Sequence, residues 1–207
     1  MLIIVEGAHD KWFLRVYLKY LGKNISVLDI VDVEGKDKPK IKEATDVIIR
    51  AIRNGKKIKI IFDVDKSYKK SKENIERQLE DIEKDLSKKC EIFLLPNDKD
   101  VSDDKDNANL ETIFEKIAIE VGVFDCLKAS EKCLKTCSIN EEENRRNFRK
   151  VTNKDTLYAY LHVFGYKIDN KDPDPEIETV SKLLNLHDEY LQPLKNFLLD
   201  IKDIKDK

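Results

Sequence analysis

The sequence lacks any apolar run that approaches the roughly 20 residues of a membrane span. Its first residues, MLIIVEG, also lack the basic region and the apolar length of a secretory signal. A strong net charge is missing as well, because 39 lysine and arginine residues nearly balance 41 aspartate and glutamate residues and leave a net charge of −2. These absences predict a cytoplasmic protein with no membrane partner. Any positive patch that meets nucleic acid must be local.

Closely paired cysteines are also missing. None of the four cysteines, at positions 90, 126, 133 and 137, belongs to a CxxC pair. Cys133 and Cys137 are spaced for one helix face, and with Cys126 and His162 they make only a weak zinc pattern. Reduced structural thiols are therefore the favoured interpretation for a cytosolic chain.

What the sequence does contain is an alternation of strands and helices. Its 207 residues, 41% of them hydrophobic, suffice for one globular core. Short apolar runs predict strands at residues 2–5, 26–33, 57–62 and 90–95. Stretches of helical spacing separate them, and this order predicts an α/β fold with a parallel sheet flanked by helices.

The predicted helices extend beyond the last strand. They cover residues 9–21, about 39–53, 68–89, 109–121, 124–137, 154–164 and 188–202. Because the last third has no clear strand, we expect the α/β domain to cover residues 1–121. An α-helical C-terminal extension over residues 122–207 is expected to pack on it.

Carboxylates follow two of the predicted strands. Glu6 comes directly after the first strand, and Asp63 and Asp65 follow the third. The carboxyl ends of parallel strands are where open α/β sheets bind ligands, and carboxylate oxygens suit a hard cation such as Mg²⁺. Gly7 would permit a tight turn after Glu6. Two simpler interpretations stay open: Glu6 complements a helix dipole, and Asp10, Asp65 or Ser67 caps a helix.

These motifs resemble those of a known domain. Glu6-Gly7 after a first strand and Asp63-Val64-Asp65 after a third are similar to the Toprim domain. That domain is shared by topoisomerases, bacterial primases, recombination-mediator proteins, small ribosomal RNA maturases and overcoming-lysogenization-defect nucleases. The resemblance implies a Toprim-like fold in which Glu6 is the acid or base and Asp63 and Asp65 bind Mg²⁺ or Mn²⁺.

The resemblance covers roughly the first 120 residues and is nearest to the nuclease branch and its uncharacterised relatives. Asp10 fits a second acidic position of that branch, and residues 33–38 are similar to its glycine-containing segment. Residues 94–98 and 109–111 resemble small uncharacterised Toprim-related proteins. Asp10 and Glu111 are therefore candidate ligands for a second ion, although Glu111 could instead favour a helix dipole.

The function that this resemblance implies is Mg²⁺-dependent phosphoryl transfer on nucleic acid, and phosphodiester cleavage above all. Candidate phosphate contacts are Lys66, Lys69, Lys70, Arg145, Arg146 and Arg149. The alternative for the three lysines is a solvated lysine face, and the alternative for the three arginines is an amphipathic helix. His9 could assist catalysis or lie on the surface.

Two other functions remain open: a non-catalytic module that binds nucleic acid or a partner, and a small-nucleotide hydrolase or binder. DNA or RNA preference and a homodimer or a partner protein also stay open.

Overall fold

A computed structural model describes most of the chain. The described residues are 1–24, 26–33, 41–64, 67–96, 109–138, 153–166 and 177–200. Five predicted site residues lie outside these ranges: Asp65, Lys66, Arg145, Arg146 and Arg149.

Four parallel strands form the sheet. They are β1 (Leu2–Val5), β2 (Ile30–Asp32), β3 (Ile58–Asp63) and β4 (Cys90–Leu95). The strand order is β2-β1-β3-β4, and every neighbouring pair is parallel. Val5 lies opposite Asp32 on one side and Ile61 on the other. The predicted α/β fold with a parallel sheet is confirmed.

Helices connect and flank the strands. They are α1 (Ala8–Tyr20), α2 (Thr45–Arg53), α3 (Tyr68–Ile82), α4 (Leu110–Ile117), α5 (Val121–Ser138), α6 (Asn153–Val163), α7 (Ile177–Val180) and α8 (Gln192–Leu199). Gly22 and Gly55 follow α1 and α2 with φ of 71° and 66°, as the predicted helix stops require. The Lys23 amide bonds back to the Leu18 carbonyl at 2.8 Å, which satisfies a carbonyl at the end of α1.

Five predicted elements are shorter than expected. The second strand is only Ile30–Asp32, because a 3₁₀ turn occupies Val27–Asp29. The helix that starts at Tyr68 ends at Ile82 instead of continuing to residue 89. There the Glu80 carboxylate accepts hydrogen bonds from the backbone amides of residues 85 and 87 at 2.8 and 3.2 Å. Such local bonds compete with helix continuation.

The other three shortened elements are helices. The helix predicted over about 39–53 is α2, which begins only at Thr45 after a 3₁₀ turn at Ile41–Ala44. The helix predicted over 109–121 is α4, which ends at Ile117. A 3₁₀ turn at Glu189–Leu191 precedes α8, which covers only Gln192–Leu199 of the predicted 188–202.

Alternate strand residues serve two hydrophobic clusters, one on each face of the sheet. Ile4 and Ile60 pack with α2 and α3, whereas Ile3, Val5 and Ile61 pack with α1 and with α4 and later helices. This alternation follows from the two-residue side-chain period of a strand. In the part of the chain that is described, no helix is long and apolar enough to cross a membrane.

Candidate functional site

Glu6 and Asp63 lie at the same edge of the sheet. Glu6 directly follows β1, and Asp63 is the last residue of the adjacent strand β3, where it lies opposite Leu95. From β1 the chain continues to β2 on one side, while β3 lies on the other side of β1. The carboxyl ends of β1 and β3 therefore flank the topological switch point, where open α/β sheets bind their ligands.

The N-terminus of α4 contacts Asp63. The Asp63 Oδ1 atom accepts a hydrogen bond from the backbone amide of Leu110 at 3.1 Å. Asn109 caps the helix by accepting the Thr112 amide at 3.2 Å. The next residue after Leu110 is Glu111, which is only 4% exposed. The β3 carboxylate and Glu111 are thus brought together by a helix that begins 47 residues later in the chain.

Asp10 reaches the same edge from the first turn of α1. Its Oδ2 accepts the backbone amide of Gly7 at 2.8 Å, and the residue is 7% exposed. Asp10 therefore contributes to the start of α1, as its simpler interpretation predicted. Gly7 has φ of −147° and ψ of 175°, an extended conformation that other residues also adopt. The turn after Glu6 therefore does not depend on the backbone freedom of glycine.

The electrostatics of Asp63 show which other acids are near enough to affect its charge. Burial raises the pKa of Asp63 well above its usual value, and repulsion from Asp10, Glu6 and Glu111, in that order, raises it further. The hydrogen bond from Leu110 opposes this increase only in part. Asp63 thus lies in a cluster of four carboxylates, which favours either a proton or a bound cation at this edge.

The chemistry of the cluster suits a hard cation, because all four side chains offer carboxylate oxygens. Within the described ranges, which omit Asp65, no group of three or more His, Cys, Asp or Glu side chains is arranged to hold a metal ion. The carboxylates that the structure describes thus provide the negative charge and the oxygen ligands that a hard cation requires.

His9 is held by the C-terminal part of the chain. Its Nε2 hydrogen-bonds the hydroxyl of Tyr158 on α6, and the two rings meet edge to face at 5.2 Å between centroids. His9 is half-buried, so it is partly accessible to solvent in the first turn of α1. Tyr158 was not a candidate, because no local signal connects residues 149 positions apart.

Two cationic residues at this edge were also missed. Lys11 donates to the Asp32 carboxylate at the end of β2, with 3.0 Å between Nζ and Oδ2. Lys11, Asp32 and Arg15 line a cavity of about 140 Å³. The four-residue interval between Lys11 and Arg15, directly after Asp10, is the signal that could have identified them.

The predicted lysines of α3 are exposed at its first turn. Lys69 lies 3.9 Å from Glu73, and both side chains are largely in water. Lys70 is exposed as well. This placement agrees with a solvated lysine face and leaves a phosphate contact as a prediction.

A larger cavity of about 540 Å³ lies elsewhere, between the end of α1 and residues 177–188. Tyr20 and His187 meet edge to face at its wall, with 5.0 Å between ring centroids. None of the predicted site residues lines it.

Comparison with known proteins identifies the family. The family model described as "Protein of unknown function (DUF3226)" matches residues 1–203. The chain belongs to this family. No curated protein and no solved structure matches it. The DUF3226 match includes the carboxylate cluster and the C-terminal helices together.

Proposed function

We propose that this DUF3226 protein is a Toprim-like, Mg²⁺- or Mn²⁺-dependent phosphoryl-transfer enzyme that cleaves phosphodiester bonds in nucleic acid. The observation that carries the proposal is the convergence of Glu6, Asp10 and Glu111 on Asp63 at the switch point of a parallel sheet. The resemblance of Glu6-Gly7 and Asp63-Val64-Asp65 to Toprim motifs supports the same function from the sequence.

Asp63 would hold the ion together with Asp65, whose place in this set comes from the sequence alone. Asp10 and Glu111 are candidate ligands for a second ion. When bound, the metal supplies charge neutralisation at the phosphate and a lower pKa of a bound water. Carboxylates that repel one another in its absence gain a common partner, which accounts for burying so much negative charge at one edge.

Glu6 takes the role of the proton-transfer group. It is half-buried, follows β1 directly, and interacts electrostatically with Asp63. Asp63 is held in place by the Leu110 amide, and Asp10 by the Gly7 amide. In the proposed reaction, Glu6 accepts the proton of the attacking water.

The test is a cleavage assay with single- and double-stranded DNA and RNA in Mg²⁺ or Mn²⁺. We expect metal-dependent cleavage that falls by about a hundredfold or more in Glu6→Gln, the range for loss of a general acid or base. Asp63→Asn should also lose activity. The exposed Asp46→Asn in α2 is a charge-matched control and should keep it. Cleavage that survives in Asp63→Asn, or that needs no metal, would contradict the proposal.

The same panel separates the two alternatives. A binding module retains nucleic-acid affinity without cleavage, and a small-nucleotide enzyme hydrolyses nucleotides but not polymers.

For a polymer substrate, affinity should fall steeply with salt as counterions are released. Neutralising Arg145, Arg146 and Arg149 together should flatten that dependence by about 0.9 in log–log slope for each duplex phosphate that the protein no longer neutralises. Salt-independent binding would count against a polymer substrate.

A further inference from the structure

We infer that Lys11 and Arg15 of α1, with Asp32 as counter-charge, form a phosphate-binding subsite beside the carboxylate cluster. The inference rests on the proposed function for the source of its ligand. That ligand is a phosphate of the nucleic-acid strand, next to the phosphate on which the carboxylates act.

The cavity has the size and lining of a site for one small anion. Its volume is about 140 Å³, and Ala8, Lys11, Trp12, Arg15 and Asp32 line it. Pockets that enclose whole drug-sized ligands usually measure about 300–1,000 Å³, so this one suits a phosphate group better than a nucleotide. Lys11 and Arg15 are four residues apart and therefore lie on one face of α1.

The subsite adjoins the carboxylate cluster through backbone neighbours. Asp32 is the last residue of β2 and lies opposite Val5, which directly precedes Glu6. The Lys11 amide donates to the Gly7 carbonyl at 3.1 Å, so Lys11 is one helical turn beyond Glu6-Gly7. The cluster extends from Glu6 toward β3 and the cavity extends toward β2. A nucleic-acid strand that lies along this edge would contact both the carboxylate cluster and the cavity.

The charges favour an anion that competes with Asp32. Two cationic side chains, Lys11 and Arg15, line the cavity together with one carboxylate, Asp32. The Lys11 and Asp32 side chains are 27% and 33% exposed, and ion pairs this accessible contribute little to stability. Opening the pair is therefore easy, and the arginine can offer a planar fork to phosphate oxygens. Asp32 holds Lys11 in position until a phosphate displaces it.

The experiment measures inorganic phosphate binding in EDTA, by calorimetry and by thermal shift against chloride of equal ionic strength. We expect Lys11→Gln to weaken phosphate affinity about tenfold, as the loss of one charged hydrogen bond predicts. Asp32→Asn should strengthen it several-fold, because the competing carboxylate is gone. The matched control is Lys19→Gln, which removes the same charge from an exposed position on the same helix and should change nothing.

Unfolding in the absence of phosphate identifies variants that do not fold. Among the folded variants, Lys11→Gln and Asp32→Asn decide the question with their opposite signs. Unchanged affinity in both folded variants, or no phosphate binding by the wild type, would overturn the inference. A merely structural Lys11–Asp32 pair would lower the melting temperature in both variants and leave no difference in phosphate affinity.

A second arm assigns the source of the phosphate. An oligonucleotide without terminal phosphates should lose affinity in Lys11→Gln. If only free phosphate binding responds, the strand assignment is overturned. Asp63→Asn should retain or strengthen phosphate binding while losing cleavage, so this subsite and the proposed function can fail separately.

Discussion

At the scale of single residues, Asp63 experiences two opposing influences on its charge. Burial and the neighbouring Asp10, Glu6 and Glu111 favour the protonated form, whereas the Leu110 amide favours the carboxylate. The first influence is stronger, because the pKa of Asp63 is raised well above 3.8. In the absence of a cation, the ionised Asp63 therefore lowers the free energy of unfolding.

This imbalance predicts the behaviour of Asp63→Asn. The pKa of Asp63 is higher in the folded protein than in the unfolded chain. The protonated side chain therefore stabilises the fold fully at pH values below the pKa of the unfolded chain, and this stabilisation is lost as the pH rises through the pKa of the folded protein. Without metal, Asp63→Asn should melt at the same temperature as the wild type or a higher one at pH 7. That difference should shrink toward pH 4. Circular dichroism melts between pH 4 and 8 test this, with Asp46→Asn as control.

Metal addition gives the second half of the test. A cation that binds only the folded state stabilises it by mass action, so millimolar Mg²⁺ or Mn²⁺ should raise the wild-type melting temperature. The Asp63→Asn variant should lose this response. A response of equal size in the variant would mean that the ion binds elsewhere.

At the scale of secondary-structure elements, a buried lysine connects β3 to the end of α8. Lys59 is fully buried, and its ammonium contacts Asp200 at 2.5 Å and Glu91 at 3.1 Å. It also donates to the Phe197 carbonyl and lies 4.5 Å from the centre of that ring. These contacts compensate a charge that would otherwise be costly to bury. They join the last described helix to the sheet.

The Asp200→Asn variant tests this connection. Hydrogen bonds from Lys57 and Lys59 lower the pKa of Asp200 in the folded protein. The ionised carboxylate therefore stabilises the fold at pH values above the ordinary pKa of aspartate, and this stabilisation is lost as the pH falls through the lowered pKa. We expect a loss of about 1 kcal/mol in the free energy of unfolding at pH 7, a modest value because Asp200 is partly exposed. The loss should begin to shrink below about pH 4 and disappear only when the pH falls below the lowered pKa of Asp200 in the folded protein. Urea titrations at pH 7 and at pH values below 4 measure it.

The chain offers a matched control for Asp200. Asp85 also has a positive φ, 64° against 56°, and also pairs with a lysine, but its partner Lys88 is exposed whereas Lys59 is buried. Asparagine tolerates this backbone conformation well, so neither variant adds strain. Asp85→Asn should change stability by less than about 0.5 kcal/mol. Equal losses in the two variants would argue against a special role for the buried lysine.

At the scale of the whole molecule, residues from both ends of the chain share one hydrophobic cluster. Trp12 and Phe13 of α1 belong to the same cluster as Tyr160 and Leu194 from the C-terminal helices. Trp12 stacks on Phe114 with 6.1 Å between ring centroids. The only tryptophan of the sequence therefore reports on a cluster to which the last helices contribute.

This shared cluster predicts that the C-terminal helices unfold together with the sheet. Leu194 is fully buried, so Leu194→Ala should lower the free energy of unfolding by about 2–5 kcal/mol. The transitions by Trp12 fluorescence and by far-ultraviolet circular dichroism should shift together. Leu28→Ala, at a position that is 85% exposed, should leave both unchanged. A Trp12 transition that Leu194→Ala does not move would indicate separate folding units.

Local patterns were sufficient for much of the fold. β1, β3 and β4 were predicted to within one residue because apolar residues dominate each of them, although Lys59 interrupts β3 and Glu91 interrupts β4. The ends of α1 and α2 followed from Gly22 and Gly55, which meet a backbone requirement that few other residues satisfy. The second strand and the end of α3 were misplaced, because a 3₁₀ turn and the Glu80 side-chain bonds compete with regular structure there.

The sequence by itself determined which carboxylates follow strands, since the end of an apolar run is a local property, and so it predicted Glu6 and Asp63 as site residues. Only the tertiary structure decided what surrounds them. The strand order put β1 beside β3, α4 brought Glu111 to Asp63, and α6 brought Tyr158 to His9. These contacts join residues far apart in the chain. They depend on how whole helices and strands pack to bury apolar surface, which no local pattern encodes.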